Sequence, residues 1–562
     1  MRIHLSALKA LVFTTALAPV LLQAAVLEIS LDPAKSTTAP LKPGVNAPFK
    51  ITNNASKAHT ITKVTVNGKP VDGCKGTSIS AGDSCKFEVT PTEYGTLVVR
   101  AEARDGMYKG ISDSYTVALR FASYNLSFDR ECVKVNGTVQ CQKTGFQVLK
   151  EQMALSRSEQ DALLTQYEKG ELSGEQETLA KAVIQIRNVA EVIQRTSPDV
   201  FVLGEFDNNG IADDQTAIND FQTNYLGEPQ KNDLLGLTYA YKKNVPTNTG
   251  KPSGFDLNND GATDGPDDAW GFGNYYGQYA FAIFSRYEFD ESKYRTFQNF
   301  KWKNVDGEKN PVITICDDPK KPIPANRTCG DSWYSPDVWE QMPVSSKNHI
   351  DLPFLIPESS NSGFRTVHFL VSHPTPPIFD GCAQRNYQRN RAEIKFWTDY
   401  IDVNGKTNFV DDANVGGGLP KDAYFVIAGD LNADPDEGDG HRPTIKGLMN
   451  SSLINTKVTT GPLQPTSRGG QEYLNSSTCT RNCKRTKGNT ITSTSGLRLD
   501  HVMPSAQFTV LRSGVFWPAT GEPGRDLVYD ATLGVSKGVS SDHRVVWVDL
   551  YIAPDSIAKS EL

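Results

Sequence analysis

The sequence predicts a small all-β domain followed by a larger domain that mixes strands and helices. The chain has 562 residues, more than one hydrophobic core usually supports, so we expect two domains. Residues 25–118 contain short alternating segments between turn residues, which is typical of a β-sandwich such as an immunoglobulin-like domain. Residues 119–552 alternate apolar runs with amphipathic helical segments, which predicts an α/β or α+β domain. Residues 553–562 are read as a C-terminal tail.

Residues 1–24 have the pattern of a secretory signal peptide. Arg2 and Lys9 supply the positive start, residues 10–22 the apolar stretch, and residues 23–25 a cleavage zone of mostly small side chains. The apolar stretch is short for a membrane span, although an uncleaved N-terminal anchor stays an alternative. No later segment is long and apolar enough to span a bilayer. We therefore expect a secreted or periplasmic protein without a transmembrane segment.

The cysteines agree with export. Eight of the nine fall in close pairs, which in an oxidising compartment predicts local disulfides that close loops. The pairs are Cys74 with Cys85, Cys132 with Cys141, Cys316 with Cys329, and Cys479 with Cys483. Cys382 is left over, and no Cys-x-x-Cys pair supports a zinc site.

The first domain shows strand patterns but no group of catalytic residue types. Ile61–Val66 and Thr96–Ala101 alternate apolar and polar side chains and lie between Asn-Gly, Asp-Gly and proline turns. A spacer and a carbohydrate-binding module both fit this pattern, and the sequence does not choose between them.

The second domain repeats a unit in which a buried strand ends in a polar group. A helix is predicted over residues 176–196, with Pro198 just past its end, and another over residues 386–402. The predicted strands lie within residues 118–123, 199–205, 366–373, 424–428, 497–502 and 544–550. No GxGxxG motif or P-loop occurs, so a nucleotide-cofactor fold is not indicated.

Six strand ends carry side chains that suit metal or phosphate chemistry. Each alone has an ordinary explanation, because Asp, Asn and His are common turn formers and caps. Their occurrence together in one domain favours a single site at the edge of a sheet. The set is Asn125, Glu205, His373, Asp430 with Asn432, Asp500, and Asp542 with His543.

The order of these motifs resembles the endonuclease/exonuclease/phosphatase superfamily, the DNase I-like metal phosphoesterases. The matching motifs are Ser123-Tyr124-Asn125, Gly204-Glu205, Ser372-His373-Pro374, Gly429-Asp430-Leu431-Asn432, Arg498-Leu499-Asp500-His501 and Ser541-Asp542-His543-Arg544. Residues 252–256, 277–279 and 373–377 resemble a group of exported bacterial members. The resemblance covers about residues 119–552 and implies a four-layer α/β/β/α sandwich with its active site at one end.

The resemblance also implies a divalent cation, Mg²⁺ or Mn²⁺. Glu205 and Asp542 resemble the family's metal ligands, and carboxylate oxygen is the ligand type that these hard ions prefer. Asn125 and Asn432 resemble positions that orient the metal or the phosphate oxygens.

Four further residues resemble the family's catalytic groups. Asp430 matches the position that aligns or deprotonates the attacking water, and His373 the position that contacts the scissile phosphate or protonates the leaving oxygen. Asp500 would hold the tautomer of His543 and stabilise its imidazolium form. The sequence leaves open which histidine is the acid and which the base.

A second ion site is predicted in the loop from Asp256 to Asp267. The loop matches the spacing of a twelve-position calcium loop, with Gly261 at the sixth position, but no amphipathic helices flank it. The ligands would be Asp256, Asn258, Asp260, Asp264 and Asp267, the last replacing the usual Glu. A structural Ca²⁺ is the expectation, and an ion-free surface turn is the alternative.

Basic residues near the predicted site have two readings. Arg385, Arg389 and Arg391 begin the second predicted helix, and Lys347 lies within the polar segment of residues 345–349. Such charges usually form a solvated face, but they can also meet substrate phosphates.

The expected function is hydrolysis of phosphate esters by an exported, metal-dependent and monomeric enzyme. Extracellular nucleic acid and small or inositol phosphates are both open as substrates, although a net charge of −7 argues against a broad basic face for nucleic acid. One rival is a binding or adhesion protein that keeps the fold without turnover. Another is a sphingomyelinase-like lipid phosphodiesterase, which would need an exposed aromatic hairpin. Trp333, Tyr334 and Trp339 could supply it, but a buried cluster is the simpler expectation.

Overall fold

A computed structural model of the chain describes residues 26–32, 39–104, 111–134, 141–357 and 364–552. The predicted signal peptide and C-terminal tail lie outside these residues. The chain divides into two units, of which the first includes Pro48–Val89 and Val98–Ser114 and the second includes everything from Tyr115 onward. The predicted domain boundary at residue 118 stays a prediction, because short segments of the first 97 residues cluster with the second unit.

The described N-terminal residues form strands, as the alternating pattern predicts. The strands are β1 (Leu27–Leu31), β2 (Ala47–Asn53), β3 (His59–Val66), β4 (Lys69–Val71), β5 (Ser78–Ile79), β6 (Ser84–Val89), β7 (Gly95–Arg104) and β8 (Ile111–Val117). One sheet has the order β1-β2-β6, and the other has the order β4-β3-β7-β8 with β5 added to β3. Alternate residues of β2 and β7 are buried, so each sheet has one apolar face.

The second unit contains the remaining strands and all the α-helices of the described residues. Its strands are β9 (Leu119–Asn125), β10 (Val133–Lys134), β11 (Cys141–Lys143), β12 (Val200–Gly204), β13 (Tyr241–Asn244), β14 (Phe281–Ser285), β15 (Arg295–Thr296), β16 (His349–Pro357), β17 (Phe364–Ser372), β18 (Tyr424–Asp430), β19 (Asp500–Pro504), β20 (Thr509–Val515) and β21 (Val546–Tyr551). Its helices are α1 (Gly145–Met153), α2 (Arg157–Glu168), α3 (Gly174–Thr196), α4 (Thr216–Phe221), α5 (Pro336–Gln341), α6 (Arg385–Ile401), α7 (Arg442–Met449), α8 (Thr456–Thr459) and α9 (Arg468–Leu474). Within the described ranges, no helix has the length and apolar character needed to cross a membrane.

Two sheets pack face to face in this unit and form its centre. The first has the order β13-β14-β12-β9-β21-β20 and the second the order β15-β16-β17-β18-β19. Phe121 and Val548 of the first sheet share one buried cluster with Val371 and Ala428 of the second. Helix α3 packs on the outer face of the first sheet, and α6 packs on the outer face of the second. The four-layer α/β/β/α sandwich is therefore confirmed.

The two long helices match their predicted positions to within two residues. Helix α3 ends at Thr196 because Ser197 adopts a left-handed backbone (φ 44°), and Pro198 cannot continue the helix. Helix α6 begins at Arg385, after Gln384 in the same left-handed conformation (φ 48°). Val189 and Ile193 of α3, and Trp397 of α6, are buried as the apolar spacing requires.

Strand register brings the predicted site residues to one edge. β9 and β12 are parallel, with Asn125 beside Gly204, so Glu205 follows directly at that end. β17 is parallel to β18, and Asp430 lies directly opposite Asp500 across the antiparallel β18–β19 pair.

A buried ion pair joins two neighbouring strands of the first sheet. The guanidinium of Arg120 on β9 donates to both carboxylate oxygens of Asp549 on β21, at 2.7 and 2.9 Å. Both side chains have 0% exposure, and the guanidinium lies 3.7 Å from the centre of the Trp547 ring. Arg512, which is 39% exposed, shares the same carboxylate at 2.8 Å.

We expect Asp549→Ala to lower the free energy of unfolding by about 3–5 kcal/mol, because it leaves the Arg120 charge buried without its counter-ion. Arg512→Ala removes only the exposed partner of the same carboxylate and should cost less than about 1 kcal/mol. Urea denaturation of both variants measures the difference. An equal loss of unfolding free energy in the two variants would contradict the role of Asp549 as the buried counter-ion of Arg120.

Candidate active site

The Asp430 carboxylate lies where the ends of the two sheets meet. Its Oδ2 accepts a hydrogen bond of 3.2 Å from Asn125 Nδ2 at the end of β9 in the other sheet. The same oxygen is 3.5 Å from His373 Nε2 and 3.8 Å from His543 Nε2. All four side chains are buried. Side chains from three other predicted strand ends thus lie around one Asp430 carboxylate oxygen.

The backbone around Asp430 explains the Gly-Asp-x-Asn motif. Gly429 has a φ of 149°, and a Cβ there would lie 2.0 Å from the Ser372 carbonyl oxygen, so only glycine fits between β17 and β18. Asn432 has a φ of 51°. Its N–H donates to Asp430 Oδ1 at 2.9 Å and its Nδ2 donates to the Pro374 carbonyl at 3.1 Å. The motif therefore fixes the carboxylate and holds the amide beside the histidine segment.

His543 and Asp500 form the predicted imidazole–carboxylate pair. His543 Nδ1 is 2.8 Å from Asp500 Oδ2, and the Thr492 hydroxyl donates to the same oxygen at 2.8 Å. Burial would lower the pKa of His543, but the carboxylates of Asp500 and Asp430 hold the pKa well above its usual value. The two carboxylates therefore favour the imidazolium form of the ring.

His373 has the opposite electrostatic state. Burial, together with the charges of Lys347 and His543, lowers the pKa of His373 to about 3, although Asp430 opposes the shift. Its Nδ1 is buried and has no hydrogen-bond partner among the described residues. The ring is thus neutral and presents Nε2 to Asp430. The two histidines at the site differ in charge.

A cluster of carboxylates lies beside Asp430 and fits a hard cation. Burial, then the carboxylates of Asp129 and Asp542, raises the pKa of Glu205 to about 8. Burial also raises the pKa of Asp129, whose Oδ1 is buried without a hydrogen bond and lies 3.6 Å from Lys537 Nζ. Asp542 Oδ1 accepts a 2.6 Å hydrogen bond from the Ser127 hydroxyl. Carboxylates that repel one another are what Mg²⁺ or Mn²⁺ would compensate.

A second set of donor atoms also lies within metal-binding range. Ligand atoms of Asp430, Asp500 and His543 are all within 4.8 Å of one another. We read this set as a hydrogen-bonded chain, because His543 Nδ1 is already bonded to Asp500. Carboxylate oxygen, as in Glu205, is the ligand type that a hard cation prefers, whereas imidazole is not.

The predicted calcium loop folds as a tight turn. Asp256 accepts hydrogen bonds from the N–H groups of Asp260 and Gly261 at 3.1 and 3.0 Å, and Asn258 Oδ1 accepts from the N–H of Asp260 at 2.9 Å. Asp267 lines the large cavity next to the active site. These bonds also suit an ion-free turn, so a Ca²⁺ bound by this loop stays a prediction.

The three arginines at the start of α6 have separate roles. Arg389 is 7% exposed and its guanidinium donates to four carbonyl oxygens, those of Val344, Trp270, Pro343 and Ser345, at 2.7–3.0 Å. Arg385 donates to the Leu257 carbonyl at 3.1 Å and lies over the Trp333 ring. Arg391 pairs with Glu308. The expectation of a solvated face is therefore wrong for Arg389, because it ties the helix to two loops.

The aromatic residues considered for a membrane hairpin pack in the core. Trp333 and Tyr334 are 6% and 4% exposed, and Trp339 packs against the same buried cluster. The expectation of an ordinary buried cluster is confirmed for these residues.

All four predicted disulfides are present. Cys382 is a buried free thiol. The short loops predicted from cysteine spacing are therefore closed covalently.

Several residues at the site gave no distinct signal in the sequence. Asp129 and Ser127 follow β9 in a loop, and Thr492 precedes β19 by eight residues. Lys347, which the sequence left ambiguous, is 6% exposed and lines the same cavity as Glu205. Polar residues in a loop are too common to single out without the fold, although Ser127 and Asp129 lie within four residues of the Ser123-Tyr124-Asn125 motif.

A model of the Endonuclease/Exonuclease/phosphatase family matches residues 172–543, more than half of the chain. The chain belongs to this family. Phosphoester hydrolysis is the family's general chemistry, and all the predicted site residues except Asn125 fall within the matched range. No curated protein matches the chain.

Solved structures similar to the chain come from bacteria and human. An endonuclease/exonuclease/phosphatase family protein from Bacteroides thetaiotaomicron is 12% identical over 78% of this chain and 96% of its own, with a TM-score of 0.33. A mannosyl-6-phosphatase from the same species is 13% identical over 77% of this chain and 100% of its own, with a TM-score of 0.33. Beta toxin from Staphylococcus aureus with bound magnesium ions is 14% identical over 78% and 100%, with a TM-score of 0.30.

We expect Arg389→Met to lower the free energy of unfolding by about 2–4 kcal/mol, because buried carbonyl groups lose their hydrogen-bond donors. Lys395→Met on the same helix removes an i,i+4 ion pair with Asp399 whose lysine is 30% exposed and should cost less than about 1 kcal/mol. Thermal and urea unfolding compare the two variants. A fully stable Arg389→Met protein would contradict the structural role.

Proposed function

We propose that this protein is an exported, divalent-metal-dependent phosphoesterase that hydrolyses phosphate esters by in-line attack of water. The main support for the proposal is that Asn125, His373 and His543 surround the Asp430 carboxylate. Carboxylates that repel one another lie in the same site. Family membership supports the same reaction class. The four disulfides support export, because such bonds persist in oxidising compartments.

The proposed reaction begins at Asp430. Burial would raise the pKa of Asp430, but the neighbouring His543 imidazolium and the hydrogen bonds from Asn432 and Asn125 hold it below its usual value. The ionised carboxylate is suited to align the attacking water and to take its proton. The water oxygen bonds to phosphorus while the ester bond to the leaving oxygen breaks.

The charged His543 is suited to the opposite role. Its Nε2 faces Asp430 at 3.8 Å, so it can donate to a phosphoryl oxygen or give its proton to the leaving oxygen. Asp500 holds Nδ1 and stabilises the imidazolium. Neutral His373 offers a second hydrogen bond at the phosphate. The electrostatics favour His543 as the acid and Asp430 as the base.

Glu205, Asp542 and Asn125, with Asp129 beside them, would hold Mg²⁺ or Mn²⁺. The bound ion would polarise a phosphoryl oxygen and neutralise its charge. Asn432 is placed to orient another phosphate oxygen, since its amide is held next to Pro374.

Removal of the metal should abolish turnover. We expect purified protein to hydrolyse phosphodiester and phosphomonoester test compounds with Mg²⁺ or Mn²⁺, and to lose at least about 100-fold in rate with EDTA. Nicking of a plasmid and release of inorganic phosphate, measured in parallel, separate a diesterase from a phosphatase. Full activity in EDTA that excess Mg²⁺ does not change would refute metal dependence.

The Asp500–His543 pair is tested by Asp500→Asn. The amide cannot stabilise the imidazolium, so we expect kcat to fall about 10²–10⁴-fold with little change in fold. Asp526→Asn, at a side chain that is 70% exposed, is the matched control and should keep wild-type kcat. Steady-state kinetics and circular dichroism of both variants are the measurements, and an unchanged kcat in Asp500→Asn would remove the pair from the mechanism.

A further inference from the structure

The active site opens into a cavity with a volume of about 710 Å³, whose wall contains a buried lysine, Lys347. Lys347 is only 6% exposed, although lysine is almost never fully buried unless it is paired. The water-exposed ring of Phe379 also lines this cavity. Five of the predicted site residues line it as well: Glu205, His373, Asp430, Asn432 and His543. A buried cation beside the catalytic groups therefore needs an explanation.

Strand pairing places Lys347 beside the segment that carries His373. In the antiparallel pair β16–β17, His349 lies opposite Ser372. The chain just before His349 therefore runs next to the chain just after Ser372. The electrostatics agree with this placement, because the charge of Lys347 is, after burial, the next largest cause that lowers the pKa of His373.

Hydrogen bonds fix the backbone at Lys347. The N–H and hydroxyl groups of Ser346 donate to Glu393 Oε1 at 2.7 and 3.0 Å, and the Lys347 carbonyl accepts from the Asn248 N–H at 3.0 Å. Glu393 Oε2 accepts from the Thr375 N–H at 2.6 Å. One carboxylate on α6 thus ties the Lys347 segment to the residues that follow His373.

The ammonium group of Lys347 has its donors free. Within the part of the chain that the structure describes, Nζ makes no hydrogen bond and no ion pair. Burial lowers the pKa of Lys347, while the carboxylates of Glu393, Glu205 and Asp430 favour the ammonium form. An ammonium buried without a hydrogen-bonded partner is costly, and groups of this kind cluster at functional sites.

The two arginines of the same wall differ from Lys347 because they are engaged with the protein. Arg389 donates to four carbonyl oxygens at 2.7–3.0 Å. Arg385 donates to the Leu257 carbonyl at 3.1 Å and lies over the Trp333 ring. An anion that enters the cavity would therefore find the unused donors of Lys347 next to the catalytic residues.

We propose that Lys347 is a catalytic residue whose ammonium binds a non-bridging oxygen of the scissile phosphate on the His373 side of the site. This inference rests on the proposed phosphoesterase function. While the water oxygen bonds to phosphorus and the ester bond breaks, negative charge on the phosphoryl oxygens has to be neutralised. An ammonium that is already desolvated and fixed in place does this without reorganisation. Lys347 forms no covalent bond, and its protons stay on Nζ.

The test compares Lys347→Met with the wild type at saturating Mn²⁺, with bis(p-nitrophenyl) phosphate as substrate. We expect kcat/KM to fall about 10- to 100-fold, because a charge-assisted hydrogen bond to the phosphate is lost. The Ki of inorganic phosphate as a competitive inhibitor should rise by about 10-fold or more for the same reason. Lys347→Arg keeps the charge and should retain more activity and tighter phosphate binding than Lys347→Met.

Two measurements besides activity separate this role from that of a counter-ion for the carboxylates. Calorimetric titration with Mn²⁺ alone should show that Lys347→Met binds the metal at least as tightly as the wild type, because a nearby positive charge is gone. Thermal unfolding should show that Lys347→Met and Lys347→Gln are as stable as the wild type or more stable, because an unpaired buried charge is removed.

Lys181→Met is the matched control. It also removes one lysine charge, from a side chain that is 59% exposed on α3. The variant should keep the kcat/KM and the phosphate Ki of the wild type.

The possible failures are distinguishable. A wild-type kcat/KM and phosphate Ki in Lys347→Met would overturn the inference and leave the phosphoesterase proposal intact. So would a loss of thermal stability in both neutral variants, or a loss of activity that returns fully as Mn²⁺ is raised, because a residue that only supports the fold or the metal site gives these results. If the wild type hydrolysed neither bis(p-nitrophenyl) phosphate nor p-nitrophenyl phosphate with Mg²⁺ or Mn²⁺, the phosphoesterase proposal and the inference would both be wrong.

Discussion

The hydrogen bond from Asn125 to the Asp430 carboxylate is the contact on which the rest of the site depends. It joins the end of β9 in one sheet to the end of β18 in the other, and the histidines reach the same oxygen. A carboxylate that is 4% exposed stays ionised only because these partners surround it. The close packing of β17 against β18 at Gly429 keeps the carboxylate in place. Fold and chemistry are therefore coupled through a single side chain.

The sequence predicted this arrangement well because its signals are local. A buried strand leaves an uninterrupted apolar run, as in residues 424–428, and the residue at which the run stops is the residue that reaches the edge of the sheet. The helices α3 and α6 also have clear apolar spacing. The resemblance to a family then gave the order in which the strand ends belong together, which spacing alone does not give.

Other parts depend on contacts between distant segments, and the sequence could not predict them. Arg389 looked like a surface charge because no sequence pattern shows that four carbonyl groups from two other loops surround it. Asp129 joins Glu205 only because β9 and β12 run side by side. In the sequence, Phe379 is an ordinary apolar residue in a proline-rich loop. Only the structure shows that it is exposed and has a left-handed backbone.

The charge of the protein connects these features. A net charge of −7 gives no broad attraction for a polyanion, and Glu205, Asp129 and Asp542 bring further acidic groups close together at the site. Attraction must then come from contacts of short range. The His543 imidazolium lies between the Asp500 and Asp430 carboxylates, and the Phe379 ring is exposed to water. Both can act only on a ligand that has already entered the cavity. An enzyme built in this way gains little from long-range steering, and its affinity is correspondingly less sensitive to salt than that of a protein with a basic face.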